Sequence, residues 1–146
     1  GLCLVGSEMC IRDSLNKGKI KNRLHKNEII MIDGAHATAD AQNLATYLKN
    51  IKIPKYGIWA MTKNKEPDLF IKQLKGVFKK IVMMPIENET NSVSVNKLYK
   101  IAVKNKFIAE KSNNFSEALK KISSKEKKLI VCFGSLYNCG NILNKN

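Results

Sequence analysis

The sequence has few of the residues on which enzyme active sites and tight anion-binding sites most often depend. It contains two histidines and one tryptophan, and its only arginines are Arg12 and Arg23. No apolar run reaches the length of about 20 residues that a membrane-spanning helix needs, so we expect no membrane partner. The four cysteines form neither a CxxC pair nor a regular metal-binding pattern. They predict a cytoplasmic protein with reduced thiols and no metal site.

The positive charge of the chain comes almost entirely from lysine. Twenty-six basic residues against 12 acidic ones give a formal net charge of +14, which by itself would suggest nucleic-acid binding. The lysines are scattered, however, and abundant Lys, Asn and Ile together are what an AT-rich coding sequence produces. We therefore expect a solvated basic surface that attracts anions such as ATP, with no nucleic-acid partner. A basic nucleic-acid-binding module remains an alternative.

Several patterns that mark a complete catalytic site are missing. No Ser-His-Asp order, metal-ligand cluster or carboxylate pair is visible. No GxGxxG fingerprint follows the first strand, and the segment from Gly134 to Gly140 lacks the Lys-Ser/Thr pair of a Walker loop. The residues alone predict an α/β domain with an anion- or nucleotide-binding edge and no complete catalytic machinery of its own.

Residues 1–14 differ in composition from the rest of the chain. They contain two of the four cysteines and one of the two arginines, and the lysine- and asparagine-rich composition begins near Leu15. The segment is a poor secretory signal, because it lacks a basic start followed by an apolar core. It resembles a translated sequencing adapter. We expect residues 1–14 to be non-native and the true N-terminal part of the protein to be missing; a native unstructured tail is the alternative.

Apolar, β-branched segments alternate with helix-like segments from residue 28 onward. We expect strands at residues 28–33, 56–61, 80–84, 107–109 and 128–133. We expect helices that begin near Thr38, Pro67, Ser94, Asn114 and Leu136, with Thr38, Ser94 and Asn114 as N-caps and with Leu69 and Val103 on apolar faces. This alternation predicts an α/β fold: a mostly parallel, doubly wound Rossmann-like sheet with helices on both faces. Residues 15–146 are expected to form one domain.

The segment Asp33-Gly34-Ala35-His36 follows the first predicted strand directly. The carboxyl end of a strand in such a sheet is where ligands bind. Asp33 is suited to accept hydrogen bonds from ribose hydroxyls, and His36 to donate to a phosphate or carboxylate. Asp-Gly is also a common turn dipeptide, and a histidine here can simply cap the next helix. Both interpretations stay open on spacing alone.

Two other strand ends carry candidate binding residues. Lys65 follows the second predicted strand and is suited to neutralise a phosphate or a substrate carboxylate, although a solvated loop lysine is an equally simple explanation. Gly134 and Ser135 follow the last strand and precede a predicted helix, where backbone N–H groups favour an anion. A tight strand–helix turn is the alternative there.

Four segments together resemble the folylpolyglutamate synthase/dihydrofolate synthase family. Ile32-Asp33-Gly34-Ala35-His36 resembles its Asp-Gly-Ala-His-Asn motif, and the run from Trp59 to Pro67 resembles its Gly-Met-Leu-x-x-Lys-Asp-Pro segment. Met84-Pro85-Ile86 fits the next strand end, and the run from Cys132 to Gly140 resembles the closing Gly-Ser-Leu-Tyr-x-x-Gly. Order and spacing agree over about residues 17–146, which correspond to the family's C-terminal, Rossmann-like domain shared with the Mur ligases.

The resemblance implies an ATP- and Mg²⁺-dependent ligase that adds L-glutamate to dihydropteroate or a folate through an acyl phosphate. It implies that Asp33 contacts the ATP ribose, that His36 is catalytic on the phosphate and glutamate side, and that Lys65, Gly134 and Ser135 bind glutamate. The P-loop and magnesium ligands belong to the family's preceding domain. We therefore expect this chain to be inactive alone and the full-length enzyme to be a monomer. A Mur-type peptidoglycan precursor ligase domain is the second candidate.

Two positions depart from the family pattern. Ala37 stands where the motif has Asn, which removes an amide from that corner of the site. Glu66 stands where Asp is usual and places the same charge one methylene further out.

Overall fold

The computed structural model describes residues 3–5, 8–10 and 27–135, and it contains seven strands and four helices there. The strands are β1 (Cys3–Val5), β2 (Glu8–Cys10), β3 (Glu28–Ile32), β4 (Lys55–Trp59), β5 (Lys80–Met83), β6 (Ala109–Lys111) and β7 (Lys128–Phe133). The helices are α1 (Thr38–Lys49), α2 (Pro67–Lys72), α3 (Val95–Lys104) and α4 (Phe115–Ile122). Within these residues, no helix has the length and apolar character needed to cross a bilayer.

Five of the strands form one sheet in the order β3-β7-β4-β5-β6. Every neighbouring pair in it is parallel, which confirms the predicted α/β fold. The last strand, β7, is inserted between β3 and β4 and pairs with both. The carboxyl ends of β3, β7 and β4 are therefore neighbours along one edge of the sheet, the edge at which open α/β sheets bind ligands.

The sheet is covered by helices on both faces, as predicted. One core cluster packs α1, α2 and α3 against one face of the sheet, and a second cluster packs α4 against the other. Cys132 is fully buried in β7, where a cysteine packs as a small apolar side chain. The assignments of Leu69 and Val103 to apolar faces are wrong, because these side chains are 46% and 48% exposed.

The N-cap of α1 is Ala37 and not the predicted Thr38, which is instead the first residue of the helix. The Ala37 N–H donates to Oδ2 of Asp40 at 3.3 Å, so Asp40 supplies the returning half of a capping box. The Ala37 side chain supplies no cap of its own. The Ser94 and Asn114 caps are confirmed, since their side-chain oxygens accept hydrogen bonds from the backbone N–H groups of Lys97 and Glu117.

Strand β6 lies two residues further along the chain than the predicted strand at residues 107–109. The cause is the end of α3. Lys106 adopts a left-handed φ of +68°, its N–H donates to the Val103 carbonyl, and the Phe107 N–H donates to the Ala102 carbonyl. These bonds form a Schellman motif, which keeps residues 105–107 in the helix-terminating turn.

A buried ion pair anchors the amino end of the sheet, opposite to the predicted site. Lys128 Nζ lies 3.4 Å from Glu28 Oε2, and both side chains are almost fully buried. Lys128 also donates to the Ile122 carbonyl at 2.8 Å and lies 4.9 Å from the centre of the Tyr56 ring. Glu28 accepts hydrogen bonds from the Ser123 hydroxyl and the Ser124 N–H. The network holds the α4–β7 connection against the start of β3.

Both ends of the chain carry expectations that remain predictions. β1 and β2 pair antiparallel in a separate two-stranded sheet, and the non-native origin of residues 1–14 stays a prediction. The helix expected from Leu136 lies outside the described residues.

Candidate functional site

Asp33 is fully buried at the point where β3 ends. Its N–H donates to the Cys132 carbonyl at 2.9 Å, and its Oδ1 accepts the Ala35 N–H at 2.7 Å. The carboxylate therefore closes an Asx turn that fixes the direction in which the chain leaves the strand. This is the turn role that the sequence allowed, and contact with a ribose remains a prediction for this residue.

The ring of His36 is oriented by the same turn. Its Nδ1 lies 2.9 Å from the Gly34 carbonyl oxygen and 4.0 Å from Asp40 Oδ2. Because a carbonyl can only accept, Nδ1 must carry the proton, and in the neutral ring Nε2 is then the nitrogen with the lone pair. The imidazole side chain is 24% exposed at the start of α1.

Gly134 is required by packing on the neighbouring strand. It has a φ of +109°, and a Cβ built on it would lie 2.1 Å from the Ala60 carbonyl oxygen and 2.7 Å from Trp59 Cδ1. Its N–H donates to the Ala35 carbonyl at 2.9 Å, which joins the turn after β7 to the turn after β3. The close approach that glycine permits here is to protein backbone, and Ser135 is thereby placed beside His36 at the cavity.

Two loops that follow β4 and β5 are joined side by side. Thr62 and Ser92 form an antiparallel bridge, the Lys63 N–H donates to the Asn91 carbonyl at 2.7 Å, and the Val93 N–H donates to the Met61 carbonyl at 2.8 Å. These bonds turn two connecting segments into one wall at the carboxyl edge of the sheet.

Side chains inside this wall are also fixed. The Thr62 hydroxyl donates to Asn64 Oδ1 at 2.7 Å, and Glu89 Oε1 accepts the Asn91 N–H at 2.9 Å. Polar side chains on both loops are therefore restrained by bonds within their own loop.

A cavity of about 290 Å³ lies at the carboxyl ends of β3, β7, β4 and β5. It is lined by His36, Thr62, Asn64, Lys65, Glu89, Asn91 and Ser135. The structure thus brings together three of the five predicted site residues, which come from three separate strand ends. Asp33 and Gly134 do not line the cavity; they shape the turns that position His36 and Ser135.

Four lining residues were missed from the sequence: Thr62, Asn64, Glu89 and Asn91. Glu89 and Asn91 lie in a polar loop, residues 87–92, that follows β5. Its position after a parallel strand was the available signal, because all such loops meet at the same edge of the sheet.

The cavity carries charges of both signs and a volume at the small end of the range for ligand pockets. Lys65 is its lysine and Glu89 its carboxylate. Within the described part of the chain, no three His, Cys, Asp or Glu side chains form a group that could hold a metal ion. The arrangement suits a small polar ligand with charged ends, bound beside an imidazole.

A family model described as "Dihydrofolate synthetase, C-terminal domain" matches residues 16–145. No curated protein matches the chain.

Solved folylpolyglutamate synthases share the fold. Mycobacterium tuberculosis folylpolyglutamate synthase complexed with ADP is 20% identical with a TM-score of 0.72, over 80% of this chain and 29% of its own. E. coli FolC in complex with DHPP and ADP is 15% identical with a TM-score of 0.70, over 80% and 28%. The bifunctional Yersinia pestis enzyme complexed with AMPPNP and Mn ion is 16% identical with a TM-score of 0.69, over the same shares. The chain therefore spans about 29% of the length of such a protein.

Proposed function

The chain belongs to the dihydrofolate synthetase family, as its C-terminal domain, and we propose that it works within an ATP-dependent ligase that joins L-glutamate to dihydropteroate or a folate. In this reaction ATP phosphorylates the substrate carboxyl group, and the amine of glutamate attacks the resulting acyl phosphate. An amide bond forms, the bond between the acyl carbon and the phosphate oxygen breaks, and inorganic phosphate leaves.

The observation that carries this proposal is the meeting of His36, Lys65 and Ser135 around one cavity. These residues come from three segments that resemble the family's motifs, and they meet at the carboxyl edge of the sheet, where β7 lies between β3 and β4. Solved relatives with this fold were obtained with ADP, with DHPP and with a nucleotide analogue and Mn. These ligands support a nucleotide and a pterin substrate for the complete protein.

We assign His36 as the catalytic residue of this domain. The Nδ1–H bond to the Gly34 carbonyl orients the ring, and the lone pair on Nε2 takes the proton that the amine releases when it attacks the acyl carbon. Lys65 and Ser135 bind the incoming glutamate, and Gly134 acts by placing Ser135.

Asp33 is proposed to accept hydrogen bonds from the ATP ribose, as the family motif implies. The Asx turn already fixes its carboxylate at the edge of the sheet. Bound Mg²⁺ would neutralise charge on the ATP phosphates, and we expect its ligands and the P-loop to lie in a preceding domain.

The proposal is tested by assaying glutamate-dependent ADP release from the complete protein that carries this chain. Dihydropteroate, ATP, Mg²⁺ and L-glutamate should all be required. Residues 15–146 alone should show no turnover. Measurable turnover by that segment would contradict the proposal that the reaction also needs the preceding domain. His36→Ala in the complete protein should lower kcat by about 10²- to 10⁴-fold, the usual contribution of a positioned acid or base. A smaller effect would remove His36 from the chemistry.

A further inference from the structure

The cavity contains two opposite charges that do not neutralise each other. Lys65 and Glu89 both line it, yet neither forms an ion pair with the other or with any residue between 27 and 135. Other carboxylates of this region, including Glu28, Asp68 and Glu126, do lie within 4 Å of a lysine. Lys65 and Glu89 are therefore charges of opposite sign that line the same cavity without pairing there.

The carboxylate of Glu89 is held in place by its own loop. Oε1 accepts the Asn91 N–H at 2.9 Å, and the Ser92 N–H donates to the Glu89 carbonyl at 3.2 Å. The loop is in turn tied to the segment before Lys65 by the Lys63–Asn91 bond. Glu89 Oε1 is thus engaged by its own loop, and Oε2 is the second acceptor of a carboxylate that lines the cavity.

We propose that the cavity recognises an α-amino acid as a zwitterion, with Glu89 accepting hydrogen bonds from the ammonium group and Lys65 pairing with a carboxylate. Glu89 is then the specificity-determining residue that separates an amino acid from a dicarboxylic acid of the same shape. This inference rests on the proposed function, in which the cavity receives the amino acid that is joined to the substrate. Charge-assisted hydrogen bonds of this kind are about twice as strong as neutral ones.

The size and polarity of the cavity fit such a ligand. Its volume of about 290 Å³ is at the lower limit for a ligand pocket, which suits one amino acid and not a whole nucleotide. Asn64, Asn91 and Ser135 add neutral donors and acceptors around the two charges. A dianion would meet Lys65 favourably but would be repelled by Glu89.

The test is an NMR titration of the 146-residue chain with three matched ligands. L-Glutamate carries both groups, glutarate lacks the ammonium group, and γ-aminobutyrate lacks the α-carboxylate. Glu89→Gln keeps the shape of the side chain and removes its charge. Glu87→Gln is the control, because Glu87 is an exposed residue of the same loop that does not line the cavity.

The expected result is that L-glutamate shifts the amide signals of the cavity residues and binds about tenfold more tightly than glutarate, since 1.4 kcal/mol corresponds to a factor of ten. Glu89→Gln should remove this preference by weakening glutamate binding and leaving glutarate unchanged or tighter. Glu87→Gln should preserve the preference. Lack of glutamate binding, or a preference that survives Glu89→Gln, overturns the inference.

The inference and the proposed function fail in different ways. Suppose that the complete protein ligates glutamate, but that the Glu89→Gln chain still binds glutamate more tightly than glutarate in the titration. The ligase assignment then stands, and the role of Glu89 is wrong. If the chain binds amino acids through Glu89 but the complete protein releases no ADP with dihydropteroate, the recognition stands and the ligase assignment is wrong.

Discussion

Replacing Gly134 by Ala should destabilise the domain far more than one methyl group usually does. The new Cβ would lie 2.1 Å from the Ala60 carbonyl oxygen and 2.7 Å from Trp59 Cδ1. A backbone oxygen cannot rotate away, so the β7 turn or β4 must shift. The φ of +109° adds a backbone cost of about 1–3 kcal/mol, and overpacking adds about 1–3 kcal/mol. We expect a loss of about 2–6 kcal/mol, from a total stability of about 5–15 kcal/mol for a typical domain.

Gly76 provides the matched control for this prediction. It also has a positive φ, +79°, but nothing lies within 4 Å of the Cβ that would be added. Gly76→Ala should therefore cost only the backbone term, about 1–2 kcal/mol. The difference between the two variants isolates the contact of the β7 turn with β4.

The assay is urea denaturation of the chain, followed by far-UV circular dichroism and by fluorescence of Trp59. Trp59 is the single tryptophan and is fully buried, so its emission reports loss of the core. Equal losses for Gly134→Ala and Gly76→Ala would refute the reasoning, because they would show that no steric contact accompanies the backbone cost.

Three further substitutions test other parts of the fold by the same denaturation measurement. Lys128→Met should cost about 3–5 kcal/mol, because it leaves the buried Glu28 carboxylate without its cation; a loss below about 1 kcal/mol would contradict the buried pair. Lys106→Gly should stabilise by about 0.5–1 kcal/mol by relieving the left-handed conformation at the end of α3, and a loss would contradict the Schellman motif. Ala37→Asn should stabilise the domain by about 1 kcal/mol, because it gives α1 a side-chain N-cap. An unchanged free energy of unfolding would contradict Ala37 as the N-cap position.

The order and type of the elements could be predicted from the sequence because their local signals were strong. Ser94 and Asn114 cap helices as their spacing indicated, and the last strand has the predicted bounds of Lys128–Phe133. The errors occurred where local signals were weak. Phe107 is apolar and was assigned to a strand, but it closes the Schellman turn of α3 by bonding to Ala102.

The candidate site was only partly predictable, because it depends on contacts between segments distant in the chain. His36, Lys65 and Ser135 were found, since each follows a strand within a recognisable motif. Glu89 and Asn91 were missed, because their position at the cavity depends on the pairing of two loops. The spacing of apolar residues along the chain does not predict such a pairing.

The role of Gly134 was also only partly predictable from the sequence. The sequence indicated a glycine for close approach to an anion, or for a tight turn. The structure shows that the close approach is to Ala60 and Trp59, a contact between neighbouring strands that no local pattern encodes.

The most direct test of the central claim is the KM for L-glutamate of the complete protein, measured by ADP release with dihydropteroate, in Lys65→Met and Lys63→Met. Lys63 is an exposed lysine of the same loop that does not line the cavity. We predict that Lys65→Met raises the KM for glutamate about tenfold, the factor that corresponds to 1.4 kcal/mol, while Lys63→Met leaves it unchanged. Equal KM values for the two variants would contradict the claim that this cavity receives the glutamate.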